Sequence, residues 1–377
     1  MASITVATIF GIALLVARPM GWIFKVQLRG GLYTHLDGMR AIAALMVVCS
    51  HYVVYAGLIT NDPADIGLTD ALGAVGVQIF FGITGFLFTR KALDGHIDIA
   101  GLLLSRVRRI VPAYLVAMTA ALAATFYVLI EAHKPVILQP LELLRAYTYG
   151  FIVSAPPSVS GLSIAGQAGQ MWTLAWEWSF YLLVPVLGVL VARRSRAISA
   201  GAVMLLAIAG QHDGSLPVWT FFLSGIVAAL LENRITPGTR TQVALTAVGA
   251  VSIGAALALK VPVYGFAHMA LAVLGFAALL FGHHAPLSIR PLRILGEVSY
   301  SMYLLHLTIA SLFFTYIHSD AAYLLYQTPP DRLPLAAACV IGLLVLSFAS
   351  YAMIERPFMG RRKAESSAVP SASATTG

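Results

Sequence analysis

Only 11% of the 377 residues are charged and only two are cysteines. A soluble globule of this length carries about a quarter charged residues, so the shortage of charge excludes that class. The two cysteines, Cys49 and Cys339, both fall inside apolar runs, which excludes a disulfide framework and a cysteine metal cluster. They read as small core residues. Acidic residues are also scarce, 16 against 24 Lys and Arg, giving a formal charge of +8. The basic residues sit in short clusters between apolar runs, as topology determinants do, and this excludes a nucleic-acid partner. The sequence also lacks an internal repeat and a large soluble domain.

What fills the chain instead is hydrophobic: 59% of the residues are apolar. Apolar runs fall at 3–17, 38–58, 73–89, 107–130, 172–192, 198–210, 217–231, 242–259, 263–282, 293–317 and 334–354. They predict an all-α, polytopic membrane bundle with roughly eleven spans. The runs at 3–17 and 198–210 are shorter than the ~20 residues of a perpendicular span and need snorkelling arginines to complete them. The first run lacks a basic leader and a small-residue cleavage site, so it reads as a retained helix.

Loop charge gives an orientation. Arg18, Lys25 and Arg29; Arg90, Lys91 and Arg106; Arg193, Arg194 and Arg196; Arg234 and Arg240; Arg290 and Arg293; and Arg361, Arg362 and Lys363 fall on one set of alternate loops. That side is expected to be cytoplasmic, with the N-terminus outside and the C-terminus inside. The longest loop, from about Glu131 to Gln170, then faces outside, and its stretch 141–153 is too short to cross, so it is re-entrant or interfacial. The polar tail at 364–377 reads as disordered.

Five constellations carry ionisable groups where packing does not ask for them. Asp37, Arg40 and His51 share one apolar run. Arg40 and His51 are separated by roughly 16 Å of helix, and intramembrane charges usually face a cavity or a partner. Asp37 at i,i+3 pairs with Arg40 or caps the helix. A desolvated imidazole favours its neutral form, the state in which a general base takes a proton. Arg106, Arg108 and Arg109 open another span, either as anchors or as guanidinium forks for phosphate. Trp172, Trp176 and Trp178 surround Glu177, with Tyr181 following; the tryptophans also suit an interfacial belt, but a carboxylate in a span needs a partner. Tyr300, Tyr303 and His306 share a helix face, for chemistry or for helix-to-helix bonding. Glu355, Arg356 and Pro357 close the last run. Beside these, Gly82 and Gly85 in Phe80–Leu87 are spaced for close helix packing.

In this order, from about Leu36 to Pro357, the segments resemble the acyltransferase-3 family of integral membrane acyltransferases. Leu36, Asp37, Gly38, Met39 and Arg40 with His51 are similar to its first core helix. Phe80 to Leu87 resembles the second, and Arg106 to Tyr114 the start of the third. Trp172, Thr173, Leu174, Glu177, Phe180 and Tyr181, then Ser299 to His306, then Glu355 to Pro357 resemble its later motifs. The sequence departs from the family where Trp178 and Ser179 replace a frequent acidic residue and Gln. It departs again at Thr84, which replaces a frequent Ser, and at Leu307 and Thr308, which stand where Trp and Pro are common. The resemblance implies about ten core helices, with the run at 3–17 an added N-terminal helix. It divides the chain into that helix (1–20), a membrane acyltransferase core (36–357) and a cytoplasmic tail (358–377).

The resemblance further implies transfer of an acyl group, acetyl above all, from cytoplasmic acyl-CoA to a saccharide or glycolipid hydroxyl on the outer side of a bacterial plasma membrane, without a metal. Lipopolysaccharide O-antigen, exopolysaccharide, peptidoglycan, an oligosaccharide signal and a secondary metabolite are all open as acceptors. The expected roles are His51 and Glu177 as catalytic residues, and Arg40, Arg106, Arg108 and Arg109 for the donor. Asp37, Trp172, Tyr181, Tyr303 and His306 are expected at the acceptor. The competing reading is a proton-coupled transporter or flippase, since intramembrane His, Glu and Arg serve that chemistry as well. Against it, the two halves lack corresponding interrupted helices.

Overall fold

The computed structural model describes residues 2–28, 30, 33–55, 63–93, 99–152, 155–192, 218–259, 261–318 and 333–359. Its helices are α1 (Ala2–Ile23), α2 (Thr34–Tyr55), α3 (Pro63–Leu93), α4 (Ile99–Glu131), α5 (Pro140–Thr148), α6 (Ala165–Ala168), α7 (Trp172–Ala192), α8 (Phe222–Leu231), α9 (Thr239–Ala258), α10 (Phe266–Phe281), α11 (Arg290–His318) and α12 (Leu333–Ser350). Among the described residues the only strands are two short ones, Ser158–Val159 and Leu162–Ser163. The protein is an all-α membrane bundle. Ten of the apolar runs fall on helix, while the run at 198–210, the arginines at 193–196 and the tail at 364–377 lie outside the described residues.

Among the described residues, seven helices are long and apolar enough to cross a membrane: Ala2–Ile23, Thr34–Tyr55, Ile66–Leu93, Ala100–Glu131, Thr239–Ala258, Arg290–Thr315 and Leu333–Phe358. They differ in depth within the bundle. α2 packs against both α3 and α11, and 72% of its apolar window is buried, against 28% for α1 and 17% for α9. The helix that carries Arg40 and His51 is therefore central, and α1 and α9 are peripheral.

Lipid tails are as apolar as leucine, so helices in a bilayer associate through close packing rather than through hydrophobic burial. Two glycine contacts supply it here. A Cβ on Gly38 would stand 1.8 Å from the carbonyl oxygen of Leu287, and one on Gly296 would stand 2.1 Å from that of Asp37. On the other side of the bundle, a Cβ on Gly225 of α8 would stand 1.9 Å from the carbonyl oxygen of Gly82, and one on Gly85 would stand 2.3 Å from that of Phe222. Only glycine allows backbones this near, so the close-packing reading of Gly82 and Gly85 holds. The first contact also fixes where Asp37 and Arg40 sit, one residue before Gly38 and two after it on α2.

The long connection after α4 is ordered by its own side chains. Tyr114 on α4 donates to the carbonyl of Tyr149, and Tyr149 in turn donates to that of Gly169 at 2.8 Å. Ser160 and Gly161, with φ of 52° and 76°, form the two-residue turn that matches hairpin twist. The Ser160 N–H donates to Glu142 of α5 at 2.9 Å. The stretch 141–153 carries α5, with Leu141 and Leu144 exposed, while further along the connection, outside that stretch, Gln167, Ala168, Gln170 and Met171 enter the bundle and are buried.

Candidate active site

A cavity opens between α2, α3, α4, α7 and α11. Three of its wall residues are arginines: Arg40 from α2, and Arg106 and Arg109 from α4. Helical period explains why Arg108 is absent from that wall. Residues three apart share a face and the one between them does not, so Arg108 is exposed on the other side of α4. The same spacing brings Thr173, Glu177 and Tyr181 of α7 into the cavity, and Tyr300 and Tyr303 of α11 opposite them. Phe80, Phe81 and Ile110 supply apolar wall.

The cations are only partly answered by protein groups. Arg40 pairs with Asp37 at 3.6 Å. The Arg106 guanidinium lies 4.9 Å from the Phe88 ring centroid and 5.9 Å from that of Tyr181, and its Nε is buried without a hydrogen-bond partner. Tyr181 donates to Glu177 Oε2 at 3.0 Å. Three like charges facing one cavity repel, and an anion is the ligand that relieves the repulsion. Guanidinium forks beside an apolar wall suit a ligand that joins phosphate or carboxylate groups to an uncharged portion. Among the described residues no group of three or more His, Cys, Asp or Glu side chains gathers as metal ligands.

The histidine pair sits beside this cavity, not in its wall. His306, fully buried, places Nδ1 2.7 Å from the Tyr303 carbonyl and Nε2 3.3 Å from His51 Nδ1. His51 Nδ1 is also 2.9 Å from the Val47 carbonyl. A carbonyl only accepts, so both Nδ1 atoms carry the proton and His306 Nε2 offers its lone pair to His51. His51 Nε2 is then the free base. It has no hydrogen-bond partner among the described residues, and it is not among the side-chain atoms closed off from solvent. Tyr303 joins the two regions, because its ring lies 5.8 Å from that of His306 and also forms part of the cavity wall.

A family model for an acyltransferase domain matches residues 33–352. The chain belongs to the acyltransferase-3 family. It is 27% identical to an O-acetyl transferase of Shigella phage Sf6 over 205 residues, half of this chain and 58% of the phage protein's own length. It is 28% identical to the exopolysaccharide production protein ExoZ of Rhizobium meliloti over 78% of this chain and 92% of that protein. Nodulation protein 10 of Rhizobium leguminosarum bv. viciae is 27% identical over 87% of this chain and 94% of its own length. No solved structure matches the chain significantly.

Within this acyltransferase-3 chain the expected residues divide into three groups. Arg40, Arg106, Arg109, Glu177, Tyr181 and Tyr303 share the cavity. His51 and His306 form the adjoining pair, and Trp172 packs partly buried in the hydrophobic core. Asp37 holds Arg40 from one turn away, and Arg108 stands outside. Sequence reasoning gave no role to Thr84, Thr173 or Ser299 and left Tyr300 between chemistry and helix bonding; all four line the cavity. It also passed over the buried segment 164–171. There Gln170 donates to the Leu304 carbonyl at 2.7 Å and Gln167 to Ser311 at 2.9 Å, so the loop is stitched to α11 beside His306. Hydropathy hid it, because a short polar turn between apolar runs reads as an ordinary loop.

Proposed function

We propose that this protein transfers an acetyl group from cytoplasmic acetyl-CoA to a saccharide hydroxyl on the outer side of the plasma membrane, with the C-terminus inside. The observation that carries the reading is the adjacency of the three-arginine cavity and a histidine pair in which His51 uses Nδ1 toward Val47 and His306 and leaves Nε2 unpartnered among the described residues. Two relatives named as an O-acetyl transferase and an exopolysaccharide production protein support the acetyl group and the glycan acceptor.

An acyl-CoA supplies an activated thioester. Arg40, Arg106 and Arg109 hold its phosphates, and Glu177 with Tyr181 keeps Arg106 oriented between them. His51 Nε2 takes the proton of the acceptor hydroxyl as the new oxygen–carbon bond forms. The imidazolium is steadied by the Val47 carbonyl and by His306 Nε2, both of which accept from Nδ1–H. The proton then passes to the departing sulfur as the carbon–sulfur bond breaks, so His51 ends neutral. Tyr303 and the buried 164–171 segment bound the acceptor side. Arg108 acts as an interfacial anchor.

The test is free CoA release by the purified protein in lipid nanodiscs, given acetyl-CoA with and without envelope glycan, together with mass spectrometry of the glycan. Acceptor-dependent CoA release with a gain of one acetyl mass supports the reading. Glycan movement across the membrane without CoA release overturns it in favour of transport.

A further inference from the structure

The closing Glu355, Arg356 and Pro357 remain outside the scheme above, yet Glu355 is completely buried. α12 does not end as an α-helix. Its last turn, Tyr351–Glu355, is π-helical, and Arg356–Phe358 resumes the α form. A π-turn inserts an extra residue and swings the following side chain round the axis, a device often found at functional sites. Here it turns Glu355 inward, while Arg356 reaches the Phe24 and Lys25 carbonyls at 3.4 and 3.1 Å.

Glu355 is poorly served by hydrogen bonds. Ser301 of α11 donates to its Oε1, and Ser301 accepts from Ser350 at 2.9 Å. Among the described residues, Oε2 is buried with no hydrogen-bond partner. A buried carboxylate with one serine donor is costly unless a cation answers it. α4 packs against the π-turn, with Ile354 seated on the cluster around Ala113 and Tyr114, and Arg109 of the cavity wall lies one turn earlier on α4.

We infer that Glu355 is a positioning residue for the donor site: its carboxylate holds the Arg109 guanidinium in the cavity wall against the repulsion of Arg40 and Arg106. The role rests on the proposed acyl-CoA chemistry and does not require Glu355 to touch a substrate.

Glu355→Gln isolates the charge, since glutamine keeps the volume and still accepts from Ser301. The expected result is a roughly tenfold rise in the acetyl-CoA KM with kcat and the acceptor KM little changed. Glu355→Asp restores part of the loss. Ser350→Ala is the structural control. It disturbs the same packing and leaves the Ser301 donor on the carboxylate, so it lowers thermal stability without moving the donor KM. If wild-type protein binds acetyl-CoA and Glu355→Gln binds it equally well, the positioning role is wrong. If wild-type protein does not bind acetyl-CoA at all, the proposed function itself fails.

Discussion

His306 Nε2 stands 3.3 Å from His51 Nδ1, so one imidazole of the pair accepts from the other and turns its partner's Nε2 outward as the base. His51→Ala removes that base, and the transfer rate is expected to fall about 10²–10⁴-fold with donor binding unchanged. His306→Phe keeps an aromatic ring and removes the accepting lone pair together with the Nδ1–H bond to the Tyr303 carbonyl. A smaller loss, about 10–100-fold in kcat, is expected. Equal rates in His51→Ala and wild-type membranes, at matched protein level, would remove His51 from the mechanism.

The arginines separate by face. Arg109→Ala loses charge-assisted hydrogen bonds worth about 1.5–3 kcal/mol, roughly 10–150-fold in donor KM. Arg109→Lys is expected to recover little, because an ammonium lacks the planar fork. Arg108→Ala, on the exposed face, should stay within about twofold of wild type. Steady-state kinetics against acetyl-CoA decides this, and equal effects at Arg108 and Arg109 would break the assignment of the cavity wall.

Backbone contact at Gly38 makes a stability prediction. Gly38→Ala would drive a Cβ into the Leu287 carbonyl 1.8 Å away, and the loss should exceed the ~1–3 kcal/mol of ordinary overpacking. Gly254 in α9 has open space around it, and Gly254→Ala should stabilise by about 0.4–1 kcal/mol. Thermal melts in detergent order the three proteins; a Gly38→Ala protein as stable as wild type refutes the close contact between α2 and Leu287.

Sidedness is measurable with the native cysteines left in place, because Cys49 and Cys339 are buried. Lys134→Cys puts an exposed thiol in the connection after α4. A membrane-impermeant maleimide should label it on intact cells. Labelling only after lysis would invert the topology and put the arginine cavity on the outer face.

Much of this was legible in the residues alone. Each described apolar run became helix, because a bilayer leaves the backbone no other partner than itself. The i,i+3 spacing of Arg106 and Arg109 sorted them from Arg108 only once the axis of α4 was known, since three neighbouring arginines look alike in one dimension. Glu177 and His51 both read as catalytic, yet they belong to different neighbourhoods: Glu177 answers arginines in the cavity, and His51 pairs with His306 beside it. The π-turn before Arg356 leaves no trace in hydropathy, because one extra residue per turn alters direction and not composition.

Tyr303 belongs to both neighbourhoods, and its hydroxyl is held by Thr173 at 2.7 Å and by the Gln170 carbonyl at 2.9 Å. A single clamped phenol thus sets the rim where the two regions meet. Trimming the ring to alanine is expected to loosen that rim, and under the proposed chemistry the sign of the loss is CoA released without any glycan to receive the acetyl group.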